Sequence, residues 1–400
     1  MRTHFFNVGH GEAIIIETCS NRNHRWILRD FGRSRFAKHT YYSMSIPRLL
    51  SRNCCCCYPL HFLMHPHCPP AQSQSIDAVL SHAHEDHFNG FKALYDQGRR
   101  DLFENAYIPM FCMKDLNTLG GVLIKYSIFL YRYYGPSTLI GTNAKNWLLA
   151  APVLAGLSKK LWCVNAEHHV AGWGHPNKIL WPPLQDDISQ RLSERLNQYL
   201  EKNSLPEDYL NDESQNIRKQ LDEFYSMQGK ENEGRKYEND QIVQAISIIE
   251  NVINIELDKN QKERLSNPIG LNNFAFKPTI DNHSLIFEIG GKKEQDLYLS
   301  DADDKTVVEM LHNNSISDKK YRIIKSGHHG NRGARALYNE NITADEVINC
   351  CGPAHSKWNG PDISYQSVSG NLTCTDWKDG SNKWQNKSQF TINQSCCVRR

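Results

Sequence analysis

No stretch of this sequence stays apolar and uncharged for long enough to cross a membrane. The most apolar segment, Gly121 to Tyr134, carries Lys125 and Arg132. That suits a buried or interfacial helix and excludes a spanning one. Nor is there an excess of charge of either sign: 46 lysines and arginines stand against 44 aspartates and glutamates, a formal net charge of +2. So even a balance creates no global field to gather nucleic acid, and any polyanion must be met locally. The chain opens Met1-Arg2-Thr3-His4-Phe5-Phe6 and moves straight into a strand pattern. It lacks the charged start and the apolar run of roughly 7–15 residues that make a secretory signal. A regular disulfide framework is missing too. The thirteen cysteines are an odd number, with Cys54 to Cys57 consecutive and Cys350/Cys351 and Cys396/Cys397 adjacent. Without a signal, they read as reduced thiols in a cytoplasmic protein. There is no repeat of fixed period.

What is present fits a large α/β protein. With 400 residues, 40% apolar and 22% charged, the chain has room for one elaborated domain or two. Two apolar runs flank Gly9 and Gly11, which reads as strand, glycine turn, strand, with His10 and Glu12 projecting from the turn. Arg25 to Gly32 is a third strand. Residues 41–74 look inserted, rich in Cys, His and Pro; four consecutive cysteines cannot all face one ion, so a loop is the reading there. Further strands are expected at Ile76 to Leu80, Ala106 to Met110, Leu161 to Val164 and Lys178 to Trp181, with helical character from Leu116 to Ser158. From Gln185 to Phe274 the composition turns charged and amphipathic, with Ile188, Leu192 and Leu196 on one face and Ile242, Ala245, Ile249 and Val252 on another. This predicts a helical insertion that packs on the core or on a protein partner, and that can be cut out between about 187 and 272. Strand grammar returns at His283 and continues through Tyr321 to Gly330, Asp345 to Cys350 and Leu372 to Thr375.

The chemistry concentrates in Ser81-His82-Ala83-His84-Glu85-Asp86-His87, directly behind the apolar strand Ile76 to Leu80. Imidazole and carboxylate are ligands for Zn²⁺ and related ions. Two of them one residue apart, just past a strand end, reach the same ion, while Asp86 and His87 point to a second. Asp301 follows a later strand and His328 another. A carboxylate such as Asp301 bridges two cations, and two metals about 3.5–4 Å apart hold a hydroxide and clamp a phosphoryl or acyl oxygen. Asp86 is read as ligand and orienter of that hydroxide. His329 is the candidate for protonating the leaving oxygen or binding phosphate.

These residues resemble the metallo-β-lactamase superfamily, closest to the metallo-β-lactamase-like domain of the competence protein ComEC and its stand-alone soluble relatives. Phe6 to Ala13 looks like that family's "DVGQGDA", Ser81 to His87 its "THxHxDH", and Ile179 to Pro183 its "VLxPP". Asp281 to Ile286 is similar to "NNxSLV", Leu299 to Asp303 to "TGDAE", and Lys325 to Gly330 to "KVPHHGS". The resemblance implies an αββα sandwich whose halves are residues 1–184 and 275–400, interrupted by the loop at about 41–74 and the insertion 185–274. It implies two divalent ions, Zn or Mn: His82 and His84 on one, Asp86, His87 and His328 on the other, and Asp301 bridging. A further ligand for the first ion is open, with His283 and Asp281 nearest and His168, His169 and His175 further off.

The expected function is a metal-dependent hydrolase, a phosphodiesterase or nuclease, with Lys325, Arg332 and Arg335 available to phosphates. Hydrolysis of a small amide, ester or thioester is the alternative. A third reading is a subunit of a defence or signalling assembly that docks a partner through 185–274. No membrane association is expected.

Overall fold

The structure, a computed structural model, describes residues 1–6, 8, 10–20, 23–33, 75–166, 168–183, 194–198, 201–202, 210–225, 234–255, 257, 259–264, 268–291, 294–314, 316, 319–351, 362–375, 385–386 and 389–393. The run Cys54 to Cys57 lies outside them. Strands β1 (Arg2–Phe6), β2 (Ala13–Ser20), β3 (Asn23–Phe31), β4 (Ile76–Val79), β5 (Phe103–Pro109) and β6 (Ser158–Val164) build one seven-stranded sheet. The second contains β7 (Asn177–Trp181), β8 (Ile286–Gly291), β9 (Glu294–Tyr298), β10 (Lys320–Lys325), β11 (Thr343–Asn349), β12 (Leu372–Cys374) and β13 (Gln385–Asn386). The last strand, β14 (Gln389–Asn393), returns to pair with β1. Both sheets are mixed: β3 to β6 run parallel in one and β9 to β13 in the other, while β1/β2/β3 and β7/β8/β9 are antiparallel.

Alternate residues of each strand serve opposite faces, and here both faces are buried, which is why the strands read as unbroken apolar runs. Phe5, Ile14, Ile16 and Val79 from the first sheet meet Ile179, Phe287, Ile323 and Ile348 from the second in an inter-sheet core. Their neighbours Phe6, Ile15, Ala78 and Leu80 face the other way, under helices. Those helices are α1 (Glu85–Asp96), α2 (Leu119–Tyr134) and α3 (Leu139–Leu157), joined by α4 (Asn211–Tyr225) and α5 (Asn239–Ile253). On the outer face of the second sheet lie α7 (Asp304–Asn313) and α8 (Ala334–Asn339); the short α6 (Lys277–Asn282) precedes β8. The chain is an α/β sandwich with helices outside both sheets. The helical character expected from Leu116 to Ser158 is present as two helices, separated at Gly135 (φ 73°) and Pro136. No helix among the described residues is long and apolar enough to cross a membrane.

Within the charged segment 185–274, the described helices pack on the core, one of the two placements expected. Ile217, Leu221, Phe224 and Tyr225 of α4, with Ile242, Ala245, Ile249 and Val252 of α5, are buried in the same core as α2 and α3. The described apolar residues of this segment are covered by its own chain, so excising 187–272 would uncover α2 and α3, while Ile188 and Leu192 lie outside the described residues. Arg235 also exchanges both backbone hydrogen bonds with Leu161 (2.8 and 2.9 Å), laying the segment alongside β6.

One buried histidine gives the fold an acid limit. Burial, with Arg2 adding, lowers the pKa of His4 to about 4. Above pH ~6.5 the ring is neutral folded or unfolded, and stability is unaffected. As pH falls from about 6.5 to about 4 the unfolded chain takes the proton first, so stability should drop by up to about 3 kcal/mol. Denaturant unfolding across that range should show a flatter profile for His4→Gln.

Candidate metal centre

The site begins where β4 ends. Leu80 still bonds to Tyr107 of β5, Ser81 and His82 leave the sheet, and His84 sits just before α1. Glu85 and Asp86 occupy the first turn of α1, where the helix dipole favours acids. Gly11 and Gly32 let two turns press against this loop: a Cβ on Gly32 would lie 2.5 Å from the backbone of Asp86 and His87. A Cβ on Gly11 would lie 3.0 Å from the Asp86 carbonyl oxygen, to which Glu12 N–H donates at 3.0 Å.

Asp30, in the left-handed region at the end of β3 (φ 51°), holds the loop from behind. One carboxylate oxygen accepts Ser81 N–H at 2.7 Å, and the other accepts from His87 Nδ1 at 3.1 Å. A carboxylate only accepts, so the Nδ1 proton is fixed and His87 Nε2 turns toward the site. Behind Asp30 lies a fully buried network: Arg29 and Lys325 both contact the Glu12 carboxylate, and Arg29 also reaches Asp30 at 3.3 Å. Lys325, expected to meet phosphates, is thus a correction. It is completely buried, and its charge offsets Glu12.

From the second sheet, Asp281 ends α6, Asp301 follows β9, and His328-His329 follows β10. Asn282 and Asp303 clamp the first two segments together: the Asn282 side chain donates to Asp303 at 3.0 Å and accepts its backbone N–H at 2.9 Å. His328 and His329 both adopt positive φ (40° and 53°), a strain of about 1–2 kcal/mol each that the surroundings must impose. They do so through His328 N–H on the Ser300 carbonyl (2.9 Å) and Gly327 N–H on the Tyr365 hydroxyl (2.9 Å). Tyr321 to Gly330 is accordingly strand only as far as Lys325.

The histidines and aspartates converge. His82 Nε2, His84 Nδ1 and an oxygen of Asp281 form one cluster, with 3.1 Å between the imidazoles and 3.1 and 3.9 Å to Asp281. Asp301 Oδ2 lies 3.6 Å from His87 Nε2 and 3.8 Å from the Nε2 of each of His82, His328 and His329. Asp86 Oδ2 is 2.9 Å from His329 Nε2 and 3.8 Å from His10 Nε2. Two ligand atoms ~2.1 Å from one tetrahedral ion stand ~3.4 Å apart, so the contacts at 3.6–3.9 Å suit metal donors better than hydrogen bonds. His87 Nε2 is buried without a hydrogen-bond partner, its nearest carboxylate oxygens being at 3.6 and 4.0 Å. Burial opposes the charge on Asp86, Asp281 and Asp301, yet the histidines beside them hold all three well below the usual carboxylate range. Three anions ringed by imidazole, two of them buried and Asp86 partly exposed, form groupings that could hold metal cations.

No family model matches the chain, and no curated protein does.

At His328 and His329 the geometry departs from the expected grouping. His328 was grouped with Asp86 and His87, and His329 was the candidate acid. The structure exchanges them: His329 is buried, gives its Nδ1 proton to the Cys350 carbonyl at 2.9 Å and presents Nε2 to Asp86. His328 lies nearer the rim, its Nδ1 on Asn331 at 2.5 Å and its Nε2 4.0 Å from Asp281. Of the two nearest candidates, Asp281 lies beside His84 at 3.1 Å, whereas His283 Nε2 donates to the Met110 carbonyl at 3.0 Å. His168 and His169 bond to Asn165 and Asn177 instead. Asp30 carried no role in the sequence reading; an aspartate at a strand end, one residue before a tight Phe31-Gly32 approach, was the available signal.

Proposed function

We propose that this chain is a metal-dependent hydrolase of the metallo-β-lactamase type, with phosphodiesters in DNA or another nucleic acid as its substrate class. The observation that carries the reading is Asp301, whose one carboxylate oxygen is ringed by four imidazole nitrogens at 3.6–3.8 Å. The ordered motifs along both halves of the chain support it. Bound there, two divalent ions of the Zn or Mn kind would supply an activated water and positive charge for the scissile group. His82, His84 and Asp281 would hold one, Asp86, His87 and His329 the other, with Asp301 between them. Asp86 accepts a hydrogen bond from the attacking water and fixes its direction. Asp30 keeps His87 in one tautomer. Arg332 stands at the rim with its Nη1 3.1 Å from Asp281 and 3.0 Å from the Asp301 carbonyl, and its partly exposed guanidinium is the cation available to a substrate phosphate.

The test is a panel of substrates given to protein loaded with Zn²⁺ or Mn²⁺: bis-p-nitrophenyl phosphate, supercoiled plasmid, a chromogenic lactam and a thioester. Phosphodiester cleavage that a chelator abolishes and metal restores is the expected result. Turnover of the lactam or thioester alone would move the chemistry to acyl groups. No turnover of any, with two ions bound, would remove the hydrolase reading.

A further inference from the structure

The turn between β1 and β2 brings a histidine to the site that the superfamily resemblance does not assign. His10 Nε2 lies 3.8 Å from Asp86 Oδ2, and its ring centre is 4.3 Å from that of His329. The ligand atoms of His10, Asp86 and His329 all fall within 4.8 Å of one another, a two-histidine, one-carboxylate set like those of His82, His84 and Asp281 and of His82, His87 and Asp301. At 3.8 Å, His10 is beyond hydrogen-bond reach of Asp86, yet at the separation of two donors on a common ion.

Placement is built in. The residue after His10, Gly11, packs on the backbone carbonyl of Asp86, and Glu12 N–H bonds to the same carbonyl at 3.0 Å. The turn cannot drift from α1 without breaking these contacts. The sets holding His84 and His10 also differ in surroundings. His82, His84 and Asp281 are buried, whereas His10 and Asp86 keep 16% and 17% of their side chains exposed. One set lies inside the sandwich and the other at its mouth.

We infer that His10 is a ligand of the outer ion. With Asp86 and His329 it forms the mouth-side half of the second metal position, which therefore loads after the inner one, binds less tightly and exchanges faster. An inner ion enclosed by buried donors is released only when the site opens. The outer ion, with two partly exposed ligands, is within reach of solvent and competing chelators. The added imidazole also raises the donor count beyond four once His87 and Asp301 are included, which suits an ion tolerant of five or six ligands, such as Mn²⁺ or Co²⁺, more than strictly tetrahedral Zn²⁺.

This inference rests on the two-metal reading, and one titration separates their failures. Metal-free protein is titrated with Co²⁺ against a chromophoric chelator, and the visible spectrum of bound Co²⁺ is recorded at each step. Wild-type protein should take up two ions in unequal steps. His10→Gln should keep the tighter step and weaken the looser one by at least about tenfold, since even losing a group that only supports a ligand costs 10- to 100-fold. His10→Asp, which substitutes one donor for another, should recover the second step with an altered Co²⁺ spectrum. Circular dichroism of the metal-free proteins checks that the variants fold, and His10→Asp is read alone if His10→Gln does not. Two ions bound by wild type with both steps unchanged in His10→Gln, or with an unchanged spectrum in His10→Asp, would overturn the assignment of His10 and leave the hydrolase reading standing. Fewer than two ions in wild type would overturn both.

Discussion

Asp301→Asn should leave a folded protein that no longer binds two ions and no longer hydrolyses phosphodiesters. The change conserves size and shape, so the clamp between Asn282 and Asp303 and the cap that Asp303 gives α7 persist. What disappears is the anion shared by four imidazoles. A neutral amide does not bridge two cations, and its nitrogen turns a hydrogen toward a site built for lone pairs. Activity should fall by well over about 100-fold, the upper range for losing a group that merely supports a ligand. Elemental analysis should find at most one ion per chain. Two ions and near wild-type turnover in the variant would show that the clusters are independent sites. Asp86→Asn makes a useful companion, since it removes only the outer carboxylate.

Arg29→Met should cost the fold about 3–5 kcal/mol, the penalty for breaking a buried ion pair from one side. Arg29 has no exposed surface, contacts Glu12 and Asp30, and lies over the rings of Phe287 and Tyr298 at 5.8 and 5.6 Å. Methionine fills much of the stem's volume but leaves buried Glu12 with Lys325 alone and Asp30 with only Ser81 and His87. Against a typical total of about 5–15 kcal/mol, the loss is severe. Urea unfolding measures it. The double variant Arg29→Met/Glu12→Gln should be more stable than the single one, because it removes one orphaned charge. If the second change adds a further independent loss instead, the network is not what Arg29 serves.

The sheets were legible because strands covered on both faces appear as apolar runs punctuated by glycine and proline. The cluster around His82 was legible because its ligands are contiguous. Harder to read were choices that tertiary contacts alone decide. His328 and His329 are neighbours with the same chemistry, and only the paired positive φ angles select which of them faces Asp86. Asp281 and His283 are two residues apart, and the end of α6 sends one to His84 and the other to Met110. Lys325 looks like a phosphate contact until the chain brings Glu12 to it from the opposite end of the sequence. An amphipathic helix declares that it has a face to cover, not which surface will cover it. The helices of 211–225 and 239–253 therefore read equally well as partner-docking or as core.

The strip that carries Arg235 has a consequence unrelated to chemistry. β6 is the outermost strand of its sheet, and its free amides and carbonyls would otherwise form a template for adding another chain. The Arg235 backbone occupies that template at Leu161. It comes so close because Gly234 has no side chain: a Cβ there would sit 2.2 Å from the Trp162 indole nitrogen. A larger residue at 234 would lift the strip and lay the margin of the sheet bare. The molecule would then be prone to polymerise strand to strand while its histidine–aspartate cluster remained intact.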